Sequence, residues 1–197
     1  MNLDELVTKR HNEIKELEFS KLLRSGKIDK DLYATYLFNL HPMYDVIEAF
    51  GRVFGLLDGA VVDYRRGLRI NEDFREIWGN RGDKPAELAV TEKYLRHVKN
   101  LADSNPNMLS AHLYVRLVEL TLDNDELKNG APGNRLMLEF KSTDNLIQQL
   151  TPDNDLIDEV NICFDFIKEM FEEMMSLTPV HVSGSGSATD VNNSTIT

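Results

Sequence analysis

An all-α, single-domain chain is the fold class this sequence predicts, and three observations predict it. Nearly every long segment repeats apolar residues at three- and four-residue spacing, the period of an amphipathic helix. Turn-forming clusters separate those segments: Ser25-Gly26, Gly79-Asn80-Arg81-Gly82 and Asn129-Gly130-Ala131-Pro132-Gly133. With 197 residues, 42 % of them hydrophobic and 28 % charged, the chain suits one domain with a substantial core.

In order, the spacing predicts helices at about 3–16, 17–24, 29–56, 71–79, 85–104, 106–127, 143–149 and 153–176. Asp29, Asn71 and Asp153 precede the third, fourth and last of these. Each is a side chain that accepts hydrogen bonds from free first-turn amides. Arg135 to Phe140 alternates, which reads as an extended stretch too isolated to build a sheet. The helical domain is expected to span 1–182. Beyond it, SGSGSATDVNNSTIT (183–197) nearly lacks large apolar groups and cannot offset its ordering entropy, so a flexible tail is expected.

The formal charge of −11 and the absence of a Lys/Arg stripe argue against nucleic-acid binding. An acidic chain is also repelled by acidic membranes, and no window reaches the roughly 18 uncharged apolar residues a membrane span needs. The start, MNLDELVTKRH, has no apolar leader core, which makes the cytoplasm the expected address. The single cysteine, Cys163, lies in an apolar helical pattern and reads as core packing. Lys9, Arg10, Lys21, Arg24, Lys27 and Lys30 form the main local basic group, either a solvated face or a docking patch for an acidic redox partner.

The stretch most suggestive of chemistry is KRHNEIKELEFSKLLRSGKIDKDLYATYLFNLHPMYDVIE, from Lys9 to Glu48. On the first helix His11 shares a face with Leu3, Val7 and Ile14, so its imidazole points inward. A lone histidine on an apolar face is usually a core residue; an axial iron ligand needs the same inward aim into an apolar cleft. A second block, SAHLYVR (110–116), carries Tyr114 and Arg116 on a helix with an apolar stripe. A third, EVNICFDFIKEMFEEM (159–174), offers Phe164 and Phe171 as core or cleft-lining aromatics.

Together these blocks resemble the heme oxygenase family over about residues 3–176. The resemblance implies heme as both substrate and cofactor, with His11 as its metal ligand. Lys9 and Arg10 on the first helix, with Tyr114, would meet the heme propionates, and Phe164 would line the cleft. Arg116 would join an internal hydrogen-bond network with Tyr44. The implied reaction is oxidative cleavage of heme to biliverdin, carbon monoxide and ferrous iron. A ferredoxin or flavoprotein reductase would supply the electrons.

Three departures from the family pattern stand out. Where the family has a Glu four residues after the axial His, this chain has Lys15, flanked by Glu13 and Glu16. The glycine-rich segment GDxxGGQ is replaced: the matching positions include Glu119, Leu120, Asp123, Asn124 and Asp125. Its glycines let backbone approach the heme face, so either this helix is displaced and Glu119 or Asp123 takes the polar role, or the cleft no longer holds heme in the usual way. The late segment that usually supplies a base to the propionates reads DNLIQQLTPDNDLIDE, with Lys141 nearest. A scaffold that binds a different ligand or partner without degrading heme is the competing reading.

Diiron chemistry needs about six carboxylate and His ligands on facing helices. His41, Asp45 and Glu48 suit one helical face, but His97 and His112 have no acidic partner at the usual spacing. No nucleophile motif or phosphate loop is present.

Overall fold

A computed structural model describes residues 2–57, 65–122, 124–139 and 153–177, with the side chains of 117–124 outside the description. The expected helix at 143–149 and the expected tail from 183 lie outside the described residues. Within them there are eight α-helices and no strand: α1 (Leu3–Lys15), α2 (Glu18–Arg24), α3 (Lys30–Val53), α4 (Arg66–Trp78), α5 (Ala89–Ser104), α6 (Leu109–Leu122), α7 (Asn124–Gly130) and α8 (Asn154–Ser176). None of the described helices is long and apolar enough to cross a membrane.

Helix α1 starts at a capping box. Asn2 Oδ1 accepts from the Glu5 amide at 2.8 Å, and the Glu5 carboxylate accepts from the Asn2 amide at 3.2 Å. Its buried stripe is Leu3, Leu6, Val7, His11 and Ile14, which fixes the inward aim of the histidine. Asp29 caps α3 by accepting from Asp31 and Leu32, and Asp153 caps α8 by accepting from Leu156, as the local signals predicted.

Two expectations are corrected. Helix α4 begins at Arg66, and Asn71 lies inside it. The first turn is held instead by a carboxylate from α3: the Gly67 amide donates to Glu48 Oε1 at 3.0 Å. A cap supplied 19 residues away leaves no local signature. The 135–140 stretch is not extended but contains a 3₁₀ turn, Leu136–Leu138. Buried Asp73 of α4 accepts from the Leu136 and Met137 amides at 2.8 and 2.9 Å, which winds the backbone into that turn.

Helix α5 is also capped from a distance, by Glu173 of α8, which accepts from the Val90 amide at 3.0 Å. Asn39 of α3 ties down the approach to α5, accepting from the Leu88 amide and the Thr91 hydroxyl and donating to the Ala86 carbonyl. Packing centres on the two longest helices. α3 lies against α4, α5 and α6, and α8 lies against α1, α2, α5 and α6. Two glycines permit close approaches. A Cβ on Gly67 would sit 2.1 Å from Asp45 Oδ1, where α4 meets α3. One on Gly130 would sit 2.5 Å from the Leu23 carbonyl oxygen, where the end of α7 meets α2.

Candidate functional site

His11 is buried in the wall of a cleft between α1, α2, α3, α7, the 3₁₀ turn and α8. The cleft measures about 540 Å³ counted out to its open mouth and is constricted inside. Leu23, Tyr36, Leu127 and Phe171 are among its apolar lining residues, and Arg24 and Ser20 also line it. Phe19, Tyr36 and Phe171 form a ring cluster with centroids 5.2–6.1 Å apart, which stiffens one side. An imidazole set among aliphatic and aromatic side chains is the donor and the wall that a flat, largely apolar macrocycle with a ligand-seeking iron requires. The residues fit that group at its centre. The constriction leaves less room inside than a flat macrocycle fills, so the cleft has to widen to take one.

The remaining candidates divide. Lys9 is exposed on the outer face of α1, on the side of Asn12 and Glu16 rather than in the cleft. Arg10 is ion-paired with Glu13 at 2.9 Å and with Asp165 of α8, and its guanidinium lies 5.8 Å from the centre of the Phe164 ring. The Tyr114 hydroxyl donates to Asp4 Oδ1 at 3.0 Å, and burial followed by that carboxylate pushes the phenol pKa up. Arg10 and Tyr114 thus face carboxylates of the chain itself. Phe164 is 1 % exposed and lies outside the lining of the His11 cleft, where Phe171 takes the aromatic position. At the position of the family's glutamate, Lys15 is 3.6 Å from Glu126 of α7, which also meets Arg24 at 3.2 Å. Glu16 lies 3.4 Å from Lys21.

The structure brings Tyr44 and Arg116 together. The buried Tyr44 hydroxyl donates to the Arg116 carbonyl oxygen at 3.1 Å, and the Arg116 guanidinium lies 5.7 Å from the Tyr44 ring centre. Buried Arg66 of α4, which sequence reasoning missed, donates to the same carbonyl at 3.5 Å. Two side-chain donors therefore pin the backbone of α6 just before residues 117–123. Glu119 and Leu120 belong to α6, but their side chains lie outside the described residues, as do those of Asp123 and Asn124.

A second centre was not anticipated. His97 and His112 do have an acidic partner: Glu159 Oε1, on α8, is 2.6 Å from His97 Nε2 and 2.7 Å from His112 Nε2. Burial pushes the Glu159 carboxyl up, but the two imidazole hydrogen bonds outweigh it and hold the pKa at about 2. For His112, complete burial depresses the imidazole more than Glu159 raises it. One sequence signal pointed here: Glu159 falls on the buried stripe of α8 with Leu156, Val160 and Cys163. By contrast, His41 pairs with Asp45 at 2.9 Å on the surface of α3, while Glu48 turns to α4 and Arg52. Those three do not converge.

The fold has solved counterparts. The heme complex of heme oxygenase-1 from the cyanobacterium Synechocystis superposes with a TM-score of 0.73 and 21 % identity, covering 88 % of this chain and 90 % of that one. Heme oxygenase from Leptospira interrogans gives 0.74 and 18 %, covering 87 % and 97 %. Heme oxygenase-2 from Synechocystis, in complex with heme and NO, gives 0.69 and 18 %, covering 88 % and 85 %. At these identities the likeness establishes the fold. No curated protein matches the sequence significantly. The family model for heme oxygenase matches residues 1–120, which span α1 to nearly the end of α6 and include His11, Tyr44 and Arg116, so this chain belongs to the heme oxygenase family.

Proposed function

We propose that this protein binds heme through His11 and opens it oxidatively to biliverdin, carbon monoxide and ferrous iron, using electrons from an external ferredoxin or flavoprotein reductase. The observation that carries the reading is the burial of His11 in an apolar cleft, within the family-matched region. Heme supplies the oxygen chemistry once reduced and is itself the substrate. The chain's part is to hold, orient and exclude water.

His11 holds the iron, and Tyr36 and Phe171 bound the cleft beside it. Arg10 and Tyr114 now face Asp165, Glu13 and Asp4. A propionate is also a carboxylate, so exchanging it for one of these partners replaces like with like and costs little beyond rearrangement. Lys9, on the outer face of α1, would reach a propionate only by swinging round that helix. Tyr44 and Arg66 hold the Arg116 backbone and so fix this point of α6. In sequence Glu119 stands next to the position of the family's missing carboxylate, and it is the residue proposed to take over that polar role.

Titrating the heme-free full chain with hemin tests the first half. A sharp, saturable Soret band at one equivalent is expected, and His11→Ala should abolish it. A wild-type chain with no saturable band overturns the proposal and leaves a helical scaffold whose cleft serves another ligand. Anaerobic reduction of the complex followed by oxygen tests the second half, and the absorption of biliverdin is the expected product signal.

A further inference from the structure

We propose that His97, His112 and Glu159 form a binding site for a divalent first-row transition cation such as zinc, separate from the His11 cleft. Their three nearest ligand atoms lie within 4.8 Å of one another and come from α5, α6 and α8, so the site is built by tertiary packing. Two imidazole nitrogens and one carboxylate oxygen are a donor set used for zinc and ferrous iron.

Taking an ion requires the cluster to adjust in two directions. In a tetrahedral site with bonds of about 2.0–2.1 Å, neighbouring ligand atoms are roughly 3.3–3.5 Å apart. The present Glu159 contacts of 2.6 and 2.7 Å therefore open by less than an ångström, and the two imidazole nitrogens, which lie within 4.8 Å of each other, draw together to the same spacing. Each imidazole now shares its Nε2 with Glu159, so binding needs a shift of the ring proton to Nδ1. On His112 the Nδ1 atom is buried with no hydrogen-bond partner, so that shift breaks no other bond but leaves the new N–H without an acceptor, which lowers the affinity.

Access and walls complete the argument. The His112 side chain is fully buried and Glu159 is 8 % exposed, but His97 is 26 % exposed. The cation enters past His97, and solvent there supplies the remaining ligand. The Tyr94 and Phe166 rings wall the cluster, with centroids 5.3 Å from the His112 and His97 rings respectively. The Arg116 guanidinium, 5.2 Å from the centre of the Tyr94 ring, adds a positive charge nearby and keeps the affinity moderate.

The test uses the heme-free full chain, stripped with a chelator and titrated with cobalt(II), whose visible d–d bands report coordination. One saturable equivalent is expected, displaced by zinc. His97→Ala, at the exposed rim, should weaken cobalt at least tenfold with the far-UV circular dichroism unchanged. Glu159→Gln, which keeps the acceptor oxygen but removes the charge, should also weaken it. His41→Ala should change nothing, because the surface His41–Asp45 pair is the competing site. No saturable cobalt binding, binding that survives both His97→Ala and Glu159→Gln, or binding lost in His41→Ala overturns the proposal.

Discussion

The two buried histidine centres solve opposite electrostatic problems. His11 lines a mostly apolar cleft, with Leu23, Tyr36, Leu127 and Phe171 among its walls, that holds one cation, Arg24, and no carboxylate among the described residues. His112 sits in a cluster that carries its own anion, Glu159, shared with His97. The first arrangement suits a large apolar group with one ligand-seeking atom, and the second suits a small cation or a proton. The comparison breaks most sharply in a crossed experiment. His11→Ala should cost heme at least about a hundredfold in affinity, roughly 2.7 kcal/mol, while leaving cobalt binding intact. His97→Ala should do the reverse. If either substitution weakens both ligands equally, the two centres are not independent.

Truncating the anion comes next in size. Glu159→Ala leaves two imidazoles without their acceptor, and a hydrogen bond to a charged group contributes about 1.5–3 kcal/mol. Denaturant melts should show a loss of that order, and Glu159→Gln should show a clearly smaller one because it still accepts a hydrogen bond. Equal losses would mean that side-chain volume, not the shared acceptor, is what α8 contributes at this point.

What could be read from residue order alone follows the same division. The first centre begins with neighbours in sequence: His11 lies on the α1 stripe with Leu6, Val7 and Ile14, and Ser20 and Leu23 follow on α2, while α3, α7, the 3₁₀ turn and α8 close it from a distance. Periodicity and the family-like start therefore pointed to it. The caps of α3 and α8 were legible for the same reason, since Asp29 and Asp153 act on amides two or three residues away. The second centre joins residues 62 and 47 positions apart, and nothing local marks such a meeting. The start of α4 was misplaced because its cap, Glu48, comes from another helix. Arg10 and Tyr114 carried the expected chemistry but found carboxylates inside the chain, Asp165 and Asp4, 155 and 110 positions away.

Glycine substitutions probe how the first centre opens. Gly130→Ala drives a Cβ to 2.5 Å from the Leu23 carbonyl oxygen and 2.8 Å from Arg24 backbone atoms, so α7 must move off α2. Overpacking of this kind costs about 1–3 kcal/mol. At about 2–4 °C per kcal/mol for a chain of this size, Tm should fall by several degrees. Because Leu127 of α7 and Leu23 of α2 both line the His11 cleft, hemin binding should change with it, while cobalt binding should not. Gly82→Ala, where an added Cβ meets nothing within 4 Å, is the control and should leave Tm unchanged.

The smallest expected effect is a pH dependence belonging to the second centre. Burial lowers the folded-state pKa of His112 below its usual 6.5, against the opposing pull of Glu159 and with the help of His97 and Arg116. Below that value the unfolded chain takes up a proton that the folded chain refuses, so stability falls as pH falls. One proton gives a slope of at most about 1.4 kcal/mol per pH unit. Glu159 acts in a separate window, because its carboxylate is stabilised in the fold and that contribution is lost only as pH drops from 4.5 toward about 2. Unfolding free energies between pH 7.5 and 5.5 should therefore decline more steeply in the wild type than in His112→Gln. Parallel profiles would mean that the buried imidazole keeps an ordinary proton affinity, and the contrast with His11 would then rest on geometry alone.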